Sequence, residues 1–285
     1  MIRAFFRYTA ATLLGLSLAF SAQASSKTEM GKVINLAGKQ RMLTQKMSKE
    51  ALFIAKGVDA TGNQGNLKKT ANLFDRTLKG LKDGDADLGL PKTTDAGILA
   101  QLDVVAKLWI TFKGNIDAVL AGKTSPEVLS NIAAQNLPLL KEMNKAVKMY
   151  EKAAGSTLDA GMATTINLAG KQRMLTQKMT KELMLAANGI DAQANITNMK
   201  KTANLFGSTL NGLVKADKAM GLPGTTDQAI LTQLAVVSKI WAEYQPILEK
   251  NAADANADFS QVTSLNMTLL KEMNKAVQMY AASVK

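Results

Sequence analysis

Apolar side chains recur at helical spacing along most of the chain, and they predict four helices between residues 31 and 154. The first covers about 31–57 and ends at Gly57, a residue type suited to helix ends. The second runs from about 66 to 82, and the third follows Pro91 and continues to about 120. Ser125 and Pro126 then supply a cap and a first-turn proline for the fourth. No segment alternates as a half-buried strand would, so the pattern predicts an all-α fold.

This pattern occurs twice. The chain contains INLAGKQRMLTQKM at 34–47 and again at 166–179, and KKTANLF at 68–74 and 200–206. LLKEMNKAV occurs at 139–147 and at 269–277, so its copies are 130 residues apart, whereas the copies of the other two segments are 132 apart. The second copy has therefore lost two residues before its last helix. Four helices with short loops in each copy predict two tandem up-down-up-down four-helix bundles. We expect the domains to cover residues 25–154 and 155–285.

The first 24 residues predict a secretory signal peptide. Arg3 and Arg7 precede an apolar run through 13–20, and residues 22–24 form an A-x-A cleavage site. The apolar run is shorter than the roughly 20 residues that a membrane span needs. We therefore expect an exported, periplasmic protein.

Composition removes several classes of chemistry. The chain of 285 residues contains neither Cys nor His, which excludes thiol nucleophiles, thiolate or histidine metal sites, and Ser-His-Asp catalysis. Its formal net charge is +12, but the lysines are scattered and aromatic residues make up only 5%. Because single-strand binding needs basic clusters with stacking aromatics, we expect no nucleic-acid partner. We also expect no enzymatic activity and no cofactor.

Two weaker metal signals are present. Asp83, Asp85 and Asp87 resemble the start of a calcium loop, but Leu88 and Thr94 stand where an EF-hand requires Gly and Glu. The 15 methionines are better explained as helix-core side chains than as copper ligands. We therefore expect no metal site.

The first helix carries the repeated motif on distinct faces. A helical wheel gives a core-facing stripe that comprises Leu36, Leu43, Met47, Ala51 and Ile54. A second face combines small and polar residues with two apolar ones, namely Ile34, Ala37, Gly38, Arg41, Gln45, Ser48 and Leu52. Lys39, Lys46 and Glu50 form a sector expected to face solvent. The second face suits close approach of another helix.

The second copy places Gly170, Arg173 and Gln177 at the same positions. If the two units pair about a pseudo-twofold axis through their first helices, Arg41 and Arg173 face each other across a partly dry seam. Two such guanidiniums repel unless an anion lies between them, and their planar donors suit nitrate, nitrite or a carboxylate. The candidate ligand-binding residues are Gly38, Arg41, Gln45, Gly170, Arg173 and Gln177. Pure interface packing is the alternative explanation of the repeated motif.

At these residues the sequence resembles a known family. The pattern of Ile34, Asn35, Ala37, Gly38, Arg41, Met42 and Lys46 is similar to the first-helix signature of NarX-type nitrate sensors and PilJ-type chemotaxis transducers. AGKQRMLTQKM is particularly similar to the PilJ form, and the resemblance covers both copies. It implies exported four-helix bundles paired through their first helices, with an anion held by the motif Arg of each side and by backbone near the motif Gly. Unlike typical members, this chain shows no pair of membrane spans and no signalling domain.

These observations predict a non-enzymatic sensory protein, an intramolecular pseudo-dimer that recognises a small oxyanion between its two motifs and presents it to a membrane receptor or sensor kinase. The alternative is a structural or adaptor protein whose motif face docks the first helix of a related membrane chemoreceptor or sensor kinase.

Overall fold

Eight α-helices make up most of the residues that the computed structural model describes, which are 26–155, 157–254 and 257–284. The first repeat contains α1 (Lys27–Lys56), α2 (Ala60–Asp83), α3 (Ala96–Leu120) and α4 (Pro126–Ala154). The second contains α5 (Ala160–Ala187), α6 (Ala192–Lys215), α7 (Gln228–Ala252) and α8 (Ser260–Ala282). Within those ranges there is no strand, and only isolated bridges join Asp85 to Leu90 and Asp217 to Leu222. The all-α prediction is confirmed.

Local chemistry sets the helix ends. Ser26 and Glu29 form a reciprocal capping box, so α1 begins four residues before the predicted start. The helix ends at Gly57, whose φ of 76° lies in the left-handed region that glycine adopts without strain. Helix α2 begins six residues earlier than predicted, because Asp59 caps a first turn that contains Gly62. The predicted signal peptide, residues 1–24, lies outside the described residues.

Each repeat folds as an up-down-up-down bundle, as predicted. In the first unit α1 packs on α2 and α4, and α3 packs on the same two helices; α5 to α8 repeat this arrangement. Buried apolar side chains of both units form one continuous core. The domain limits at 154 and 155 remain a prediction, since α4 and α5 are joined by only a short connector and the core crosses it.

The two bundles pair through α1 and α5, which pack more extensively on each other than any other two helices. Lys56 Nζ donates to the carbonyl of Ala187 at 2.9 Å, and Asn188 Nδ2 donates to the carbonyl of Leu52 at 3.3 Å. These partners are separated by roughly the repeat offset, so the helices run parallel and in register. The predicted pairing through the first helices is confirmed.

The expected solvent sector of α1 is wrong. Glu50 is only 1% exposed and accepts a hydrogen bond from Lys46, while Lys39 is half-buried. The reason is that α1 lies at the centre of the molecule, in contact with α2, α4, α5 and α8. A helix covered on all sides has no solvent face for a wheel to identify. None of the helices in the described ranges combines the length and apolarity needed to cross a membrane.

Because the core is shared, we expect the described bundles to unfold together. Ile166 is fully buried, and its Cδ1 would lie 3.9 Å from a Cβ on Gly31 of α1. Ile166→Ala should lower the free energy of unfolding by about 2–5 kcal/mol. Ile110→Ala, at a side chain 71% exposed on α3, should change it by less than about 0.5 kcal/mol. Differential scanning calorimetry should show one transition for each variant; two separate transitions would contradict the shared core.

Candidate functional site

Two glycines bring the two motif arginines to the same point of the α1–α5 seam. A Cβ on Gly38 would lie 3.3 Å from Arg41 Nη2 and 3.9 Å from Arg173 Nη2. A Cβ on Gly170 would lie 3.5 Å from Arg173 Nη2 and 3.8 Å from Arg41 Nη2. Both guanidiniums therefore lie against both glycines. The structure brings these four predicted residues together as the sequence indicated.

Each arginine bridges its own unit and the other one. Arg41 Nη1 donates to Asn144 Oδ1 on α4 at 2.7 Å, and its Nη2 donates to the backbone carbonyl of Asn167 on α5 at 3.1 Å. Arg173 repeats this geometry, with Nη1 donating to Asn274 Oδ1 at 2.8 Å and Nη2 to the carbonyl of Asn35 at 3.0 Å. Each guanidinium thus holds the two first helices together.

Spare hydrogen-bond capacity remains at this junction. Arg41 and Arg173 are each 1% exposed, and the Nε of each lacks a hydrogen-bond partner among the described residues. The Oδ1 atoms of Asn35 and Asn167 are also buried and also lack a hydrogen-bond partner among these residues. An unpaired buried polar group costs free energy. The two Nε–H groups are unused donors, whereas the two Oδ1 atoms are acceptors.

The junction is strongly positive. Burial lowers the pKa of Arg41 to about 10, an effect that Glu151 opposes, and burial together with Arg41 lowers the pKa of Arg173 to about 9. Lys39 and Lys171 also have lowered pKa values, because each is partly buried and lies near the guanidinium of the other unit's arginine. At neutral pH both guanidiniums carry their charge.

Glu151 makes the two halves of the junction unequal. Its Oε2 accepts a hydrogen bond from Asn167 Nδ2 at 2.6 Å, close to Arg41. The corresponding position of the second unit is Ala281, and the lysine at 148 corresponds to Gln278. The two identical motifs therefore lie in different electrostatic surroundings.

The predicted site residues Gln45 and Gln177 are buried, but within the described part of the chain neither forms a hydrogen bond with Arg41 or Arg173. Gln45 Nε2 donates to Thr44 Oγ1 at 3.0 Å, and Gln177 Nε2 donates to Asn266 Oδ1 at 3.0 Å. Their side chains belong to a polar cluster one helical turn away. The asparagines that hold the guanidiniums were missed by sequence reasoning, although Asn144 and Asn274 occupy the same position of the repeated LLKEMNKAV.

That second cluster contains two buried lysines. Lys49 Nζ donates to Asn266 Oδ1 at 2.8 Å, and Lys181 Nζ donates to Asn136 Oδ1 at 3.2 Å, so each lysine reaches an asparagine of the other unit. Burial lowers the pKa of Lys49 to about 7 and that of Lys181 to about 8, with an adjacent glutamate opposing the shift and a lysine adding to it in each case. The repeat in the sequence could have identified this pair, because a Lys follows each motif by two residues.

Two aspartates of the first acidic loop, Asp85 and Asp87, have a protein partner. Arg76 donates to both carboxylate oxygens of Asp85, at 2.8 and 3.0 Å, and to Asp87 Oδ2 at 2.9 Å. Asp83 is the last residue of α2. Among the described residues no group of three or more acidic side chains is arranged to hold a metal ion.

Fold and site together define a class of protein: paired four-helix bundles that carry a buried cationic junction between their first helices. Residues 22–134 and 157–266 match the PilJ family, described as the N-terminal domain of type IV pili methyl-accepting chemotaxis transducers. The chain belongs to this family and contains two copies of the family's domain. The predicted resemblance is confirmed.

Its relatives are methyl-accepting chemotaxis proteins. The chain is 32% identical to McpN of Pseudomonas aeruginosa over 123 residues, 43% of the chain and 22% of that protein. It is 27% identical to PilJ of the same organism over 215 residues (73% and 30%). It is 26% identical to AlkN of Alcanivorax borkumensis, named for methyl-accepting chemotaxis, over 241 residues (82% and 33%). The chain thus spans about a fifth to a third of the length of these relatives.

A solved structure also matches. The ligand-binding domain of the Pseudomonas aeruginosa nitrate receptor McpN is 30% identical, covers 43% of this chain and 96% of its own, and superposes with a TM-score of 0.39.

The buried lysines generate a prediction about pH. A lowered folded-state pKa means that the unfolded chain binds more protons between that value and 10.5, so stability rises with pH across this window. Each lysine contributes on the order of 3–5 kcal/mol to that rise. Chemical denaturation should therefore show higher stability at pH 9.5 than at pH 6.5.

Lys49→Met should raise the stability at pH 6.5 and flatten the profile, because Gln177 still donates to Asn266 in its place. The exposed Lys145→Met is the matched control and should leave the slope unchanged. A wild-type profile that is flat or falls between these pH values would contradict the assignment.

Proposed function

We propose that this chain is a sensory ligand-binding protein that recognises a small oxyanion, such as nitrate, nitrite or a carboxylate, between Arg41 and Arg173. The observation that carries the proposal is the pair of fully buried guanidiniums at one point of the seam, each with an unused Nε–H donor.

Electrostatics supports an anion at this point. Two like charges in a buried seam repel, and burial adds a desolvation cost to each of them. Glu151 supplies a carboxylate on Arg41's side only. A bound anion would offset the remaining charge and accept hydrogen bonds from both arginines. Charge-assisted bonds to a planar guanidinium favour a small planar oxyanion.

Both halves of the proposed site belong to one polypeptide. The glycines allow the guanidiniums and the helix backbones to approach closely, and the register of α1 on α5 sets the two arginines opposite each other. We therefore propose an intramolecular pseudo-dimer that binds one anion per chain, with an affinity that does not depend on protein concentration.

The family supports a sensory rather than an enzymatic role, since the relatives are chemotaxis receptors. We propose that the protein acts in the periplasm and presents its ligand state to a membrane receptor or sensor kinase. The alternative adaptor role requires the motif face to be free for a receptor helix. That face is instead buried by the pairing of α1 and α5, which favours ligand binding over docking.

Removal of the arginine pair tests the proposal. In wild type, nitrate at a hundred times its Kd should stabilise the folded state by about 2.7 kcal/mol. Arg41→Ala combined with Arg173→Ala should abolish this shift, because both sets of donors are lost. Thermal shift with nitrate, nitrite and acetate, against chloride at equal ionic strength, measures it.

The exposed Arg76→Ala is the control for loss of positive charge, and circular dichroism verifies that each variant is folded. If no oxyanion changes the wild-type melting temperature, or if the double variant responds as wild type does, the proposed site is wrong.

The unequal half-sites give a second test. Glu151→Ala makes the first half resemble the second, and it should tighten nitrate binding on the order of tenfold because a competing carboxylate is removed. Ala281→Glu should weaken binding by a similar factor, since it adds a carboxylate near Arg173. Isothermal titration calorimetry measures both. Weaker binding by Glu151→Ala would show that Glu151 organises the site instead of competing with the ligand.

A further inference from the structure

A groove between α4 and α5 leads from the surface to Arg41. Its volume is about 540 Å³, and it lies where the last helix of the first unit meets the first helix of the second. The exposed side chains of Leu137, Lys141 and Lys148 lie along α4 at its outer side. The hydrogen-bonded pair of Arg41 and Asn144 forms its inner end.

The charged part of the groove wall is cationic. Four basic residues line it and no acidic residue does; they are Arg41, Lys141, Lys148 and Lys171. Burial lowers the pKa of Lys171, and the nearby charges of Arg41 and Lys148 lower it further. A ligand that enters the groove would experience electrostatic attraction only if it were an anion.

Part of the groove wall is apolar. It consists of Leu137, Leu140, Leu168 and Met174, and Leu137 leaves 53% of its surface exposed. The volume falls within the range of about 300–1,000 Å³ found for small-molecule sites. An inorganic oxyanion is little larger than a water molecule, which takes up about 30 Å³ of liquid, so it would cover almost none of this wall.

We propose that the α4–α5 groove binds a monocarboxylate with an apolar body, its carboxylate held by Lys148, Lys171 and Arg41 and its body packed along Leu137, Leu140 and Met174. The inference rests on the proposed function and deepens it, because it names the ligand class that reaches the arginine junction. Nitrate would then occupy only the inner, charged end.

The internal repeat supplies matched control positions. On α8, Met267 corresponds to Leu137 and is 50% exposed. Lys271 corresponds to Lys141, and both are exposed. The second unit has Gln278 where the first has Lys148, so it lacks a counterpart of one cation that lines the groove. Substitutions at paired positions therefore change the same chemistry on either side of the molecule.

The test is calorimetric titration of the full chain with acetate, butanoate, hexanoate and benzoate, and with benzyl alcohol as a neutral aromatic probe. Since a fully buried methylene tightens binding roughly threefold to fourfold, hexanoate should bind at least tenfold more tightly than acetate. Benzoate should bind, and benzyl alcohol should bind at least tenfold more weakly. Equal affinity for acetate and hexanoate would overturn the proposal, and so would equal affinity for benzoate and benzyl alcohol.

Variants locate the site. Leu137→Ser should remove most of the preference for hexanoate over acetate. Lys141→Gln removes one of the four cations that line the groove, so it should weaken the binding of every carboxylate about threefold or more. Met267→Ser and Lys271→Gln should have effects less than half as large. Equal effects at the paired positions would overturn the assignment to the α4–α5 groove.

Failure of the groove proposal can be distinguished from failure of the proposed function. If nitrate binding depends on Arg41 and Arg173 while no carboxylate gains affinity from an apolar body, the groove proposal fails and the anion site stands. If hexanoate binds with the predicted dependence on Leu137 while nitrate gives no response, the inorganic oxyanion is wrong and the groove is supported.

Discussion

The parallel pairing of α1 with α5 is the constraint on which the rest of the structure depends. It places two copies of one helix face against each other, so the repeated motifs lie opposite one another. For small and apolar residues this produces close packing, as at the glycines Gly38 and Gly170. For Arg41 and Arg173 it produces two charges in the same buried place, each held by an asparagine side chain and by a carbonyl of the opposite helix. A hydrogen-bonded frame of neutral groups orients these charges but does not neutralise them.

The pairing also buries two lysines, about two helical turns from the arginines along α1 and α5. They are Lys49 and Lys181, and each is held by an asparagine of the other unit. The seam is therefore cationic along much of its length, with Glu50 and Glu182 as buried counter-charges near the lysines. Within the described residues both lysines have acids close by, whereas Glu151 is the one carboxylate near the arginines and lies on one side. Because of this difference we propose the arginine part of the seam, and not the lysine part, as the ligand site.

Much of the fold follows from the sequence, because the repeat and its helical periodicity are strong local signals. Capping residues such as Asp95 and Ser125 are readable in the same way. The burial of Glu50 could not be predicted, because a helical wheel assumes a solvent-exposed face and α1 has none. The arginine pair was predictable from symmetry once two identical helices were assumed to pair. The proximity of Glu151, Asn144 and Asn274 to the arginines could not be predicted, because these residues lie on other helices and are brought close only by the tertiary fold. The α4–α5 groove depends on packing between units and carries no local signal.

The central claim is that the seam binds one anion between two guanidiniums. A crystal structure of the full chain grown with saturating nitrate tests it most directly. The account predicts a planar density at the junction, with oxygen atoms about 3 Å from nitrogen atoms of both Arg41 and Arg173. Nitrate that binds only elsewhere, or a junction in which both guanidiniums retain only their asparagine and carbonyl partners under those conditions, would contradict it.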